Sequence, residues 1–287
     1  ALKADNDADR VSKLRGIFRE MRARWKANMA KPIPFVPEKI TIEEFCSNES
    51  VRKLINAGEL PFAFDTEEAE PVTLPRNESS YVILGYDHTG KTNLLRVLIR
   101  IMGEAGGYRV YVVDNSKKQM AAFCRKNMPE GYIDSSSRLE ELLDHLNRAY
   151  MAAKEAAAAG ESDSEEAAEV CAGREKTVVL VDDFCNFFDM LSETHRSIVE
   201  DMVSGVYGSD ILFVFTANPY DLSMYRSETL YRYVFNGMYG VLLGGRVDSQ
   251  DVFEPDMSYR ERDMQFEPGN GYMFEKNGYK TIRVPEM

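Results

Sequence analysis

Hydrophobic and polar residues alternate along this chain in two different ways, and the change from one spacing to the other predicts the elements of the fold. Short runs dominated by apolar residues predict strands buried in a sheet. Longer stretches with apolar residues three or four positions apart predict helices between them. The strands are predicted at 81–84, 109–114, 177–183, 211–215 and 241–243 and the helices at 93–102, 118–127, 137–158 and 188–204. Strands that alternate with helices predict an α/β fold with a mainly parallel sheet and helices on both faces.

The segments at either end follow different patterns. Residues 60–74 predict two short strands around an acidic turn, and 271–284 predict a hairpin because Asn277-Gly278 favours a type I′ turn. Residues 31–38 contain three prolines and predict an extended linker. We therefore expect a connector helix and linker over 1–40 and one large domain over 41–287.

Residues 10–26 predict an amphipathic helix with a strongly basic polar face. Such a helix suits an acidic partner or a membrane surface. The alternative is a connecting helix that docks on its own acidic domain. A second unusual segment, about 155–175, is rich in alanine and acidic residues, and we expect it to be a mobile insertion.

The charge, the cysteine and histidine spacing and the hydropathy of the chain argue against several classes of function. The net charge of −12 argues against duplex DNA as the main partner, since DNA binding draws on basic residues. The four cysteines contain no Cys-x-x-Cys pair and the three histidines no His-Glu-x-x-His pattern, so zinc sites are not indicated. The sequence shows neither an apolar run long enough to span a membrane nor a secretory leader. Because it begins at Ala1, we expect a piece of a longer protein.

The strongest chemical signal is a complete G-x-x-x-x-G-K-[ST] motif between a predicted strand and a predicted helix. Its glycines allow a tight turn whose N–H groups point at phosphate oxygens, and the following helix offers its positive N-terminus. Lys91 is expected to reach the outer phosphates of ATP, and Thr92 to bind Mg²⁺. The predicted nucleotide-binding residues are Gly85, Tyr86, Asp87, His88, Thr89, Gly90, Lys91, Thr92 and Asn93.

The same loop permits a second interpretation. Tyr86, Asp87, His88 and Thr89 are bulky for a loop that follows phosphate closely, and Asp87 places a negative charge beside an anion site. A relic loop that no longer binds nucleotide is the alternative.

The predicted apolar strand at 177–183 ends in Asp182 and Asp183, as expected for the partner of a phosphate-binding loop. Asp182 is predicted to hold Mg²⁺ through water, and Asp183 to act as the general base on the attacking water. Aspartate is one methylene shorter than the glutamate of many motors, which puts the reach of Asp183 in question.

Other residues give weaker signals. Thr216 and Asn218 follow the strand at 211–215 and suit either a sensor of the terminal phosphate or an ordinary strand exit. Arg226, Arg232 and Arg246 are candidate arginine fingers, with surface ion pairs as the alternative. A group of aromatic and methionine residues suits either core packing or a groove for a helical peptide. It comprises Tyr231, Tyr233, Phe235, Met238 and Tyr239.

Taken together, these motifs resemble the RecA-like P-loop NTPase domains of the FtsK/SpoIIIE type, and most of all the C-terminal ATPase domain of the type VII secretion proteins EssC and EccC. The similarity covers most of the chain. It rests on IPFVPEKIT, PFAFD, PVTL, GYDHTGKTNLL, VVLVDDF and GNGYMF…IRVPE, which occur in the family's order.

The resemblance implies a cytoplasmic domain of a membrane-anchored bacterial protein that uses ATP and Mg²⁺. It implies further ATPase domains in the parent chain, a hexamer, and export of small helical WXG-type proteins recognised by a C-terminal signal, with no nucleic acid partner. The chain departs from motors of the FtsK type at Asp183, where they have Glu, and at Ala217, where they have the sensor Gln.

Three hypotheses follow. The first is an ATP-binding motor domain for protein export, whose hydrolysis is weak. The second is a degenerate recognition and assembly module that keeps the fold without turnover. The third is a DNA translocase, which the fold superfamily alone favours and the acidic charge disfavours.

Overall fold

The computed structural model describes residues 7–24, 35–75, 78–158, 175–205, 210–236, 239–276 and 278–287. The chain divides into two compact units, 1–35 and 36–287. In the first unit, helix α1 spans Asp7–Arg24 and confirms the predicted helix. The linker prediction falls mostly outside the described residues, as does nearly all of the predicted acidic insertion.

The second unit begins with two short helices that the sequence analysis did not predict, α2 (Ile42–Ser47) and α3 (Glu49–Asn56). Thr41 and Glu44 form a reciprocal capping box on α2, which satisfies two free N–H groups at its start. Asn48 caps α3 by accepting from the backbone of Ser50. The signal was present in the sequence as Thr-x-x-Glu.

A ten-stranded sheet forms the centre of this unit. In chain order its strands are β1 (Pro61–Asp65), β2 (Pro71–Thr73), β3 (Ser80–Gly85), β4 (Tyr108–Val113), β5 (Tyr132–Ile133), β6 (Lys176–Val181), β7 (Ile211–Ala217), β8 (Gly240–Gly245), β9 (Phe266–Glu275) and β10 (Gly278–Arg283). Across the sheet the order is β2-β1-β10-β9-β8-β3-β7-β6-β4-β5. The strands from β8 to β5 in this order pair in parallel, and the rest extend the sheet antiparallel.

The remaining helices connect the strands. They are α4 (Lys91–Ala105), α5 (Ala121–Asn127), α6 (Ser136–Ala158), α7 (Phe184–Met190), α8 (Glu193–Val203), α9 (Thr229–Phe235) and α10 (Tyr259–Arg262). The single helix predicted at 188–204 is wrong, because α7 ends at Met190 and Ser192 caps a new helix by accepting from His195 N–H. Among the described residues no helix has the length and apolarity needed to cross a bilayer.

Helices cover both faces of the sheet, and the strand residues alternate between two hydrophobic clusters. On β3, Ile83 packs with α4 in one cluster, whereas Val82 and Leu84 face the other, which contains α6, α7 and α8. This period of two is what a pleated strand buried on both faces requires. The predicted α/β class, mainly parallel with helices on both faces, is confirmed.

The predicted short strands and the C-terminal hairpin are both present. They are not separate appendages, because Phe64 on β1 pairs with Arg283 on β10, and Leu242 on β8 pairs with Tyr272 on β9. The hairpin thereby joins the parallel part of the sheet at its edge strand, β8. Asn277, on which the turn prediction rests, lies outside the described residues.

Candidate phosphate-binding site

The glycine-containing loop links the end of β3 to the start of α4 through a tight turn. A Cβ atom on Gly85 would lie 2.3 Å from Thr89 Oγ1 and 2.7 Å from the carbonyl oxygen of Leu243, so only glycine fits there. Thr89 is itself buried, and its hydroxyl donates to the carbonyl oxygen of Tyr86 at 2.8 Å. The turn is therefore fixed by its own hydrogen bond as well as by the close approach of β8.

Gly90 has a φ of 105°, a backbone conformation that favours glycine, and it forms the N-cap of α4. No side chain caps this helix. The first N–H groups of a fifteen-residue helix are thus left for another partner, and the aligned peptide dipoles favour an anion at that end.

A cavity of about 570 Å³ opens over this loop. Seven of the nine predicted nucleotide-binding residues line it, from Asp87 to Asn93, together with Asp182, Asp183, Thr216 and Asn218. Gly85 and Tyr86 do not line it. Gly85 lies beneath the turn, and the hydroxyl of Tyr86 donates instead to the carbonyl oxygen of Ser249.

Lys91 folds back on the loop that precedes it. Its ammonium group donates to the carbonyl oxygens of Gly85 at 2.6 Å and Tyr86 at 2.7 Å. Burial lowers the pKa of Lys91, and nearby carboxylates, Asp87 and Asp182 foremost, act against that effect. A cation held by neutral carbonyl groups in a partly buried cavity is well placed to exchange them for a phosphate.

Asp182 is buried at the end of β6, and both of its carboxylate oxygens are hydrogen bonded. Oδ1 accepts from the Thr216 hydroxyl at 3.2 Å, and Oδ2 accepts from the Asn115 side-chain amide at 3.0 Å. Burial raises the pKa of Asp182 to about 6, and the charge of Asp114 adds to the effect.

Asp183 has a φ of 90° and serves as the N-cap of α7. Its Oδ1 accepts from the N–H groups of Cys185 at 3.0 Å and Asn186 at 3.5 Å. Burial raises the pKa of Asp183, and these two hydrogen bonds counteract it. The proposed general base thus also has a structural partner, although its side chain still lines the cavity.

Thr216 links the two aspartates. It is fully buried on β7, it donates to Asp182, and its oxygen accepts from the backbone N–H of Asp183 at 2.9 Å. Asn218 lines the cavity, and its side-chain oxygen accepts from Tyr220 N–H at 3.1 Å. The two predicted sensor residues are therefore brought to the same cavity as the phosphate-binding loop.

The candidate arginine fingers lie outside the residues that line this cavity. Arg226 pairs with Asp251 and Arg246 with Asp263, while Arg232 donates to the carbonyl oxygen of Ser227 at 3.1 Å. Each is engaged within its own chain, so a role at a neighbour's nucleotide stays a prediction.

The structure adds cavity residues that the sequence analysis missed. They are Arg96, Asn115, Ser116, Lys117, Gln119 and Asp221; Ala217, at the position of the sensor Gln, also lines the cavity. A signal existed for Asn115, because it follows β4 and the carboxyl ends of parallel strands meet at one edge of the sheet. Thr92 and Asp182 line the same cavity, and a hydroxyl with a carboxylate suits Mg²⁺, which prefers oxygen ligands and shares them with phosphate and water.

The aromatic group after β7 is partly buried. Tyr231 and Phe235 stack with ring centroids 4.9 Å apart and line a second cavity of about 660 Å³. Phe253, Phe274 and Tyr279 complete its aromatic wall. Tyr233 is half exposed outside it, and Met238 lies outside the described residues.

Neither a family model nor a curated protein sequence matches the chain. Solved structures do match it. EssC (ATPases 2 and 3) from Geobacillus thermodenitrificans has a TM-score of 0.75 and 16% identity, over 99% of this chain and 51% of that one. EccC (ATPases 2 and 3) from Thermomonospora curvata, in complex with a signal sequence peptide, has a TM-score of 0.65 and 16% identity, over 94% and 47%.

The pCW3 conjugation coupling protein TcpA, in its monomer form with ATPγS, has a TM-score of 0.62 and 15% identity, over 88% of this chain and 70% of that one. This chain spans about half the length of the EssC and EccC structures. The chain therefore has the fold of the EssC and EccC ATPase domains, as its resemblance to them in sequence predicts.

Proposed function

We propose that this chain is the ATP-binding domain of a type VII protein secretion motor and contributes to substrate recognition and export. The observation that carries the proposal is one cavity, lined by Lys91, Thr92 and Asp182, at the N-terminus of α4, which no side chain caps. This arrangement places a cation, a hydroxyl and a carboxylate around a site that favours phosphate.

The contacts suggest a separate role in nucleotide binding for each of these groups. The N–H groups at the start of α4 receive the phosphates, and Lys91 neutralises their charge after it leaves the carbonyl oxygens of Gly85 and Tyr86. Thr92 and Asp182 would hold Mg²⁺, which would supply positive charge to neutralise the bound phosphates. Asn93 lines the same cavity at its edge.

A titration with a fluorescent ATP analogue tests this proposal. We expect Mg²⁺-dependent binding that Lys91→Ala reduces at least tenfold, since a charge-assisted bond to phosphate is lost. Lys53→Ala is the matched control, because that lysine pairs with Glu49 on the exposed surface of α3. Equal affinity in the wild type and in Lys91→Ala would overturn the proposal.

A second candidate, binding without hydrolysis, is favoured by the two hydrogen bonds that Asp183 accepts from the backbone N–H groups at the start of α7. A carboxylate held as a helix cap is less free to take a proton from water. ATP hydrolysis should be measured in the assembled parent protein, which we propose to be a membrane-anchored hexamer with further ATPase domains. A rate that Lys91→Ala does not change supports binding without hydrolysis, and a rate that Asp183→Ala abolishes contradicts it.

For substrate recognition we propose the second cavity, whose aromatic wall includes Tyr231, Phe235 and Tyr279. Such a wall suits the apolar face of a helical peptide, here the C-terminal signal of a WXG-type protein. Fluorescence anisotropy with that labelled signal peptide tests the site. We expect Tyr231→Ala to weaken binding at least fivefold and Tyr233→Ala, outside the cavity, to leave it unchanged. Equal effects of the two substitutions would exclude this cavity.

A further inference from the structure

We propose that the loop between β4 and α5, residues 114–120, is a positioning clamp for the magnesium site. In this clamp Asn115 orients Asp182, and Gln119 orients Thr92. The inference rests on the proposed binding of Mg²⁺ and ATP, and it assigns positioning roles to two residues outside the phosphate-binding loop and the acid-tipped strand.

The contact between Asn115 and Asp182 fixes the carboxylate on the side opposite Thr216. The Asn115 side-chain nitrogen donates to Oδ2 at 3.0 Å, and the Thr216 hydroxyl donates to Oδ1 at 3.2 Å. The orientation of the Asn115 amide is set in turn, because its oxygen accepts from the backbone N–H of Lys117 at 2.9 Å. With both oxygens held, the carboxylate cannot rotate, and its remaining lone pairs are available to the cavity.

The contact between Gln119 and Thr92 does the same for the hydroxyl. The Thr92 hydroxyl donates a hydrogen bond to Gln119 Oε1 at 3.3 Å. A hydroxyl that donates elsewhere presents its lone pairs to a metal ion, which is the form that a ligand must adopt. The backbone of Gln119 is held as well, since its carbonyl oxygen accepts from Arg96 Nη2 at 2.9 Å.

A buried carboxylate holds the two ends of the loop together. Asp114, which is 2% exposed, accepts from the N–H of Asn115 at 2.9 Å and from the N–H of Met120 at 3.1 Å. It also accepts from the Tyr132 hydroxyl at 2.9 Å. The loop is therefore bracketed from its first residues to its last, and it can hold Asn115 and Gln119 at fixed positions.

The test is a Mg²⁺ titration of the binding of a fluorescent ATP analogue. Asn115→Ser keeps an oxygen for the turn at Lys117 but cannot reach Asp182, and Gln119→Leu removes the acceptor for Thr92. We expect each substitution to raise the Mg²⁺ concentration at half-maximal effect by about 10-fold or more, as loss of a group that orients a metal ligand does. Affinity for the analogue in EDTA should stay within about twofold of the wild type, because neither residue contacts phosphate in this proposal.

Two further variants separate positioning from folding. Gln119→Glu keeps the acceptor oxygen that Gln119→Leu removes, so its Mg²⁺ midpoint should lie much closer to that of the wild type than the midpoint of Gln119→Leu does. Lys118→Asn lies in the same loop but pairs with Asp134 outside the cavity, and asparagine tolerates the φ of 52° there, so no change is expected.

Unchanged Mg²⁺ midpoints in Asn115→Ser and Gln119→Leu, with a Mg²⁺-dependent wild type, would overturn the clamp and leave the proposed function intact. A parallel loss of affinity in EDTA would also overturn it, since that result indicates a general disturbance of the site. Failure of the proposed function is distinguishable, because the wild type itself would then bind no analogue at any Mg²⁺ concentration.

Discussion

Gly269 on β9 donates its backbone N–H to the carbonyl oxygen of Thr89 at 2.9 Å, and this bond ties the C-terminal hairpin to the phosphate-binding loop. The two segments pack closely there, since a Cβ on Gly90 would lie 3.2 Å from the Gly269 nitrogen. Asn93 adds a second link, because its side chain donates to the carbonyl oxygen of Pro285 at 2.8 Å and accepts from Met287 N–H at 3.1 Å. The hairpin and the residues that follow it are thus bonded directly to the phosphate-binding loop and the first turn of α4.

We predict that Asn93→Ala lowers the free energy of unfolding by about 1–3 kcal/mol, because it removes two hydrogen bonds and leaves their backbone partners without them. Urea unfolding followed by circular dichroism measures the loss. Asn127→Ala is the control, since that exposed side chain bonds only within its own helix, to the Phe123 carbonyl oxygen. Equal losses in both variants would show that the hairpin link contributes nothing specific.

Two glycines give opposite predictions for the same substitution. Gly85→Ala places a methyl group 2.3 Å from Thr89 Oγ1 and 2.7 Å from a backbone oxygen, so we expect destabilisation of about 1–3 kcal/mol and a weaker phosphate site. Gly103→Ala adds a methyl group with nothing within 4 Å, inside α4, and should stabilise the protein by about 0.5–1 kcal/mol. Melting temperatures that shift in the same direction would contradict the close approach at Gly85.

The cap formed by Asp183 predicts a difference between alanine and glycine. Asp183→Ala loses the cap and keeps a Cβ at a φ of 90°, so we expect a cost of about 1–2 kcal/mol. Asp183→Gly should cost only a few tenths, because glycine is a tolerated N-cap and accepts that φ. Chemical denaturation of the two variants provides the measurement, and an equal cost would argue against the strained cap.

The raised pKa of Asp182 predicts that the free energy of unfolding depends on pH when EDTA keeps the site free of metal. Burial raises its pKa to about 6 in the folded state, against about 3.9 for an unfolded aspartate. Because the folded state holds the proton more tightly, protonation stabilises the fold. This contribution is complete below about pH 4 and is lost as the pH rises through about 6, with a full size on the order of 3 kcal/mol.

Asp182→Asn removes that titration, so its stability relative to the wild type should rise between pH 4 and pH 7.5, the two conditions of the test. Urea midpoints of both proteins at each pH give the comparison. A constant difference between the proteins would mean that the carboxyl group keeps its ordinary pKa in the fold.

The sequence by itself determined the class of the fold and the principal residues of the site. Apolar runs such as 211–215 predict strands buried on both faces. The motif from Gly85 to Thr92 predicts phosphate and Mg²⁺ binding from its glycines, its lysine and its hydroxyl. Both signals are local, because an apolar run and a glycine-containing turn can each be recognised from residues adjacent in the chain.

Only the tertiary structure decided which distant residues complete the site. Asn115 contacts Asp182 because β4 lies beside β6, and Gln119, later in the loop that follows β4, contacts Thr92 at the start of α4. The sequence places Asn115 at the end of a strand but does not say which strand lies beside it. The C-terminal hairpin likewise meets Thr89 only after it joins β8 at the sheet edge. Strand order is set by the burial of whole faces, a collective property of the core, so contacts across the sheet cannot be inferred from local patterns.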